Sequence, residues 1–226
     1  MKDNTQRAKN IIAFLLAYLV FDILNMGLDV CMLSIGESDI DLFNTLLQIS
    51  HYMAFAEIAI TIICGIHFIM WFRRAYYNLH FIGVGGLRYT EGWAAGAWFV
   101  PFVNLYAPVK IMHDIWAETQ RAIFRTQDFK SNNLIPVWWT LWIINGLLGR
   151  IVFPMYSKAE TVVDYNNINT IEIINNVVNI AAILVVTSII KKLMAYEHEL
   201  FESRNSEETS LLYDIHNEEE NVDPLQ

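Results

Sequence analysis

Four blocks of the chain, at about 11–35, 46–72, 134–153 and 171–190, are apolar almost throughout. A helical residue advances about 1.5 Å, so roughly 20 of them cover a hydrocarbon core about 30 Å thick. Each block therefore predicts one transmembrane helix. Their edges carry suitable signals. Trp71-Phe72-Arg73-Arg74 is an aromatic and basic interface anchor, Pro136 falls near a first turn where proline is tolerated, and Lys191-Lys192 closes the last block. Lys2, Arg7 and Lys9 precede the first block, which is too long for a signal-peptide core and holds Asp22 and Asp29. It reads as a retained span behind a short N-terminal segment, 1–10.

The central run from Gly92 to Trp116 breaks the pattern. Gly92 to Val109 carries no charge, yet it contains Pro101 and Pro108. Eighteen helical residues reach about 27 Å, barely a membrane span, and proline removes helical hydrogen bonds. Counting Lys and Arg decides between the topologies. A fifth crossing splits them eight to seven across the membrane, whereas four crossings with both termini inside split them thirteen to two. Cytoplasmic segments carry the excess of bases, so the second topology is expected. The stretch 92–108 then reads as a short re-entrant or broken helix, with Asn104 available to cap exposed backbone.

Beyond it, 109–126 is amphipathic. Val109, Ile111, Met112, Ile115, Trp116, Thr119, Ala122 and Ile123 fall in an arc of roughly 160°. Lys110, His113, Asp114, Glu118, Gln120, Arg121 and Arg125 lie opposite, which predicts a cytoplasmic helix in the interface plane. The expected fold class is all-α integral membrane: four transmembrane helices, the broken segment and this interfacial helix.

Composition adds less. The chain is 54% hydrophobic and 17% charged, with net charge −9. Residues 197–226 hold ten acids and one arginine, so the whole excess belongs to a tail expected to be disordered and cytoplasmic. That distribution gives no reason to expect nucleic acid as a partner. Cys31 and Cys64 lie at different depths and are not expected to pair. His51, His67, His80 and His113 are scattered without metal-ligand spacing, and Gly83-Val84-Gly85-Gly86 precedes no nucleotide-binding unit. No metal, cofactor or catalytic residue is expected, and the chain reads as non-enzymatic.

A dense series of residues carries a family resemblance: Trp71, Arg73, Arg74, Asn78-Leu79, Gly92-Trp93-Ala94, Gly96, Trp98-Phe99-Val100-Pro101, Asn104-Leu105, Pro108 and Asp114-Ile115-Trp116. It resembles the bacterial membrane-protein family termed domain of unknown function 4328, most densely over 71–120. Two positions depart from that family's usual pattern: Glu91 where proline often precedes Gly-Trp, and Tyr106 where tryptophan usually follows Asn-Leu. The resemblance implies a multi-pass protein of the bacterial inner membrane and no particular mechanism.

Polar residues inside spans are costly and mark functional candidates. In the first span Tyr18, Asp22, Asn25 and Asp29 share an arc of about 60°. Glu57, Thr61 and Cys64 share a face of the second. Asn145, Gly149 and Arg150 lie in the third, and Glu172, Asn175, Asn176 and Asn179 share a face of the fourth. By depth, Asp22, Glu57 and Asn179 come out near mid-membrane, with Asp29, Arg150, Asn175, Asn176 and Glu172 further out. Asp29 is expected to pair with Arg150 and the asparagines to bridge helices. The expected role is a membrane module binding a partner protein, lipid or small ligand, with the lipid bilayer as its constant partner. The cytoplasmic helix or tail is the expected protein contact. The alternative is a small transporter or channel using the intramembrane carboxylates.

Overall fold

The structure, a computed structural model, describes residues 1–35 and 38–221, the side chains of 218–221 excepted. Glu37, part of the acidic link between the first two spans, and the end of the tail beyond 221 lie outside the described residues. Six α-helices follow one another: α1 (Thr5–Ile35), α2 (Ile40–Phe81), α3 (Trp93–Gly96), α4 (Ala107–Phe124), α5 (Leu134–Tyr156) and α6 (Val162–Asn221). A 3-10 turn, Val103–Leu105, joins α3 to α4. Helices α1, α2, α5 and α6 are each long and apolar enough to cross a membrane.

Asp39 starts α2 by accepting the Leu42 N–H at 3.0 Å, which satisfies one of the donors orphaned at a helix start. Gly83, at φ +78°, ends it in a conformation that a side chain would strain. At about 1.5 Å per residue, the 42-residue α2 and 60-residue α6 run to roughly 63 and 90 Å, far beyond a bilayer core. Helix α1 packs against α2 and α6, and α5 packs against α6, so α6 separates α1 from α5. The outward surface is apolar, with Phe55 and Phe153 among its most exposed side chains, as a lipid-facing surface requires.

The central run enters and leaves at one end of this bundle. Arg88, before the uncharged stretch 92–109, meets Asp114, beyond it, at 3.4 Å. A crossing of about 27 Å between those residues is therefore impossible. Trp98 packs on Phe68 and Phe72 of α2 and on Trp139 and Trp142 in the first turns of α5, with ring centroids 5.5–6.1 Å apart. The indole of Trp139 donates to the Leu105 carbonyl at 3.1 Å. The tip of the broken segment exposes Phe99, followed by Phe102 at a left-handed φ of 65°.

Three expectations change. The tail does not begin at 197: α6 runs on to Asn221, and Glu197 and Leu200 are buried. The stripe Val186, Ile190, Leu193, Glu197, Leu200 explains this, because its spacing of three and four continues past Lys191-Lys192 on one face. Helix α4 is not a free interfacial helix with a wholly polar back. It packs against α6, α2 and α5 and buries Asp114 and Gln120 along with its apolar face. Gln120 is buried because it holds the following loop, donating to the Lys130 carbonyl at 3.3 Å and accepting its N–H at 3.1 Å. Asn104 caps nothing through its side-chain Oδ1, which is buried without a partner among the described residues.

Candidate functional site

The polar stripe of α1 becomes a ladder. The Tyr18 hydroxyl oxygen accepts from the Thr61 hydroxyl of α2 at 3.0 Å, and Asp22 accepts from Asn179 of α6 at 2.8 Å. Asn25 donates to Glu57 of α2, and Asp29 accepts from Asn176 of α6, both at 3.4 Å. The partners alternate between two helices for a geometric reason. Steps of four, three and four residues at about 100° each place the side chains at roughly 0°, +40°, −20° and +20°. Tyr18 and Asn25 thus lean towards α2, while Asp22 and Asp29 lean towards α6.

The ladder divides two voids. At its inner end a cavity of about 250 Å³ is walled by Phe68, Trp98, Trp138 and Trp142 on one side. Tyr18, Thr61, Asn145 and Asn179 face it from the other. Gly65 lines it as well, and a Cβ there meets nothing within 4 Å. At the outer end, Asn25, Asp29, Ser50, Glu57, Glu172 and Asn176 line a smaller void of about 80 Å³ together with Tyr156. Asp22 is fully buried, yet its Oδ1 has no protein partner. Such an atom is costly unless something meets it.

Other residues singled out in the sequence fall elsewhere. Arg150 is exposed and joins none of the ion pairs among the described residues, so the expected Asp29–Arg150 pair is absent. With α6 between α5 and α1, Asp29 meets Asn176 instead. Asn175 Oδ1 is buried without a partner beside this stripe. Of the motif residues, Asn78 is buried and holds the N-terminal segment, accepting the Lys2 N–H at 3.1 Å and donating to the Lys2 carbonyl at 2.9 Å. Next to it, Asn4 donates to both oxygens of Glu197 at 3.1 Å. Asn4 and Glu197 thus place the start of the chain and the end of the last span on one side.

Trp116 donates to the Lys130 carbonyl at 2.7 Å and stacks edge-on against Tyr196 of α6, while Pro108 lies in the first turn of α4. Gly92 and Trp93 open α3, Gly96 ends it, and Pro101 precedes the 3-10 turn. These set the path of the broken segment and make no polar contact with the ladder. Below it, Asp114 is held by Arg88. Burial nevertheless raises its carboxyl above the ordinary range, with Arg88 opposing the shift.

The sequence pointed to the ladder residues but missed the aromatic wall and the Asn4–Glu197 contact. Trp138 and Trp142 are four apart and share a helix face, a signal that span composition hides.

Four crossing-length helices, a returning broken segment and a polar interior define a helical membrane protein. The family described as Domain of unknown function (DUF4328) matches residues 37–195 of the chain, which belongs to that family. No curated protein and no solved structure gives a significant match.

Proposed function

We propose that the chain is a non-enzymatic membrane module that holds a small amphipathic ligand in the inner cavity. The observation that carries this reading is the composition of the cavity wall. Three indoles and Phe68 face four hydrogen-bonding side chains across about 250 Å³. A ligand with an apolar body and one polar end suits that division, as binding sites combine apolar walls with a few convergent polar groups. By the positive-inside rule the basic end faces the cytoplasm of a bacterial inner membrane, with both termini there. The helical tail exposes Leu211, Leu212, Tyr213 and Ile215, a contact for a partner protein.

The test is native mass spectrometry of protein released with its own membrane lipids. An adduct on the wild type that disappears in Gly65→Leu, which fills the cavity, is the expected result. A wild type without any adduct would refute the reading. A second reading, a conduit for protons or cations, draws on the ladder of carboxylates reaching the outer void. It requires ion-dependent flux in liposomes that Glu57→Gln abolishes.

A further inference from the structure

Separate from that cavity, at the basic end of the bundle, lies a notch of about 440 Å³ lined by Lys2, Arg7, Arg73, Arg74, Tyr77 and Glu91. We propose that this notch binds a phosphate-bearing anion, supplied either by the headgroup of an anionic lipid or by a free phosphate compound.

Four bases from three segments converge there with a single carboxylate. Glu91 engages Arg73 at 3.2 Å, which leaves Lys2, Arg7 and Arg74 without an acidic partner among the described residues. Lys2 and Arg74 both approach the ring of Tyr77, at 5.5 and 5.3 Å from its centre, and Arg7 donates to the Met70 carbonyl at 3.1 Å. Like charges held this close beside apolar helices repel, and an anion among them relieves that repulsion. Arginine suits phosphate in particular, since its planar fork meets two oxygens at once.

The cluster is built into the fold. Asn78 grips both backbone groups of Lys2, and Asn4, two residues on, is anchored on Glu197 and on the Trp71 carbonyl at 3.2 Å. The first residues of the chain are thereby folded back over α2, bringing Lys2 to the arginines. Glu91, which departs from the usual family pattern, orients Arg73 from the far side. The notch also lies at the level where α2 leaves the membrane at Trp71-Phe72-Arg73-Arg74, within reach of lipid headgroups. Basic pockets between helices at that level bind anionic headgroups.

The test uses the full chain in detergent, with native mass spectrometry against phosphatidylglycerol and phosphatidylcholine at equal concentration. The expected result is preferential retention of phosphatidylglycerol, falling about fivefold for each base removed in Lys2→Gln and Arg74→Gln. Arg74→Lys, which keeps the charge, is expected to restore most of it and checks that the fold tolerates change there. Lys191→Gln with Lys192→Gln, bases placed elsewhere, should leave the preference intact. Inorganic phosphate added as competitor separates the sources. Displacement of the lipid, or a phosphate adduct of its own lost with the same variants, assigns the notch to soluble phosphate. Retention against it assigns the headgroup. Equal retention of both lipids without a phosphate adduct, or a preference unchanged in Lys2→Gln and Arg74→Gln, would overturn the proposal.

Discussion

Two buried sets of carboxylates and asparagines occupy this molecule, and they are finished differently. At the basic end, Glu197 has both oxygens met by Asn4, and Asn78 has both ends of its amide bonded to Lys2. In the interior, the Asp22, Asp29 and Glu57 carboxylates each meet one asparagine, and voids lie on either side. The first set is the more fully bonded, with Asn4 Oδ1 its one amide oxygen buried without a partner among the described residues. The second leaves hydrogen-bonding capacity open towards empty space, at a cost in stability that a purely structural role does not explain.

Substitutions should separate the two. The largest effect is expected at the closed end. Asn78→Ala strands the Lys2 N–H and carbonyl and should cost about 2–6 kcal/mol, at 1–3 kcal/mol for each of the two groups left unpaired. Thermal unfolding in detergent would read this as a clear loss of stability, and an unchanged midpoint would contradict the contrast. Trp98→Ala, which removes the ring joining α2, α5 and the broken segment, should cost on the order of 3 kcal/mol. It should also abolish adduct retention in the inner cavity.

Asp22→Asn is expected to change stability by less than about 1 kcal/mol, since the amide preserves shape and Asp22 makes one hydrogen bond. Complete loss of membrane-inserted protein in that variant would show the interior to be structural after all. Smallest is the effect of pH through Asp114. Its carboxyl is raised by burial, so the fold favours the protonated acid. Its contribution is fully present below the ordinary value of 3.8 and is lost as pH rises through the folded-state value. Asp114→Asn should therefore flatten the decline in stability above pH 3.8. A steeper decline would mean that Arg88 outweighs burial.

The α1 stripe was legible because helical period is visible in one segment: residues 18, 22, 25 and 29 announce a face without help from any neighbour. Which helix each member meets was not legible, since that depends on α6 lying between α1 and α5. The misassigned partner of Asp29 follows from that missing order. The end of α6 was misread for a different reason. Lys191-Lys192 marks where the helix leaves the membrane, and a helix leaving a membrane need not stop. Charge counting yields an expectation for the central run because it sums over whole segments and needs no packing detail. The cavity wall stayed hidden because Trp138 and Trp142 look like ordinary span residues until Trp98 is folded back against them.

The returning path of that central run is the claim on which both candidate sites depend, because it places Trp98 in the cavity wall and Glu91 beside the basic notch. Single cysteines at Lys2, Lys130 and Lys158, in a chain whose Cys31 and Cys64 are replaced by serine, test it in sealed vesicles with a membrane-impermeant thiol reagent. Lys2 and Lys130 should be labelled from one side and Lys158 from the other. Labelling of Lys130 from the side opposite to Lys2 would mean that the run crosses, and would contradict the account.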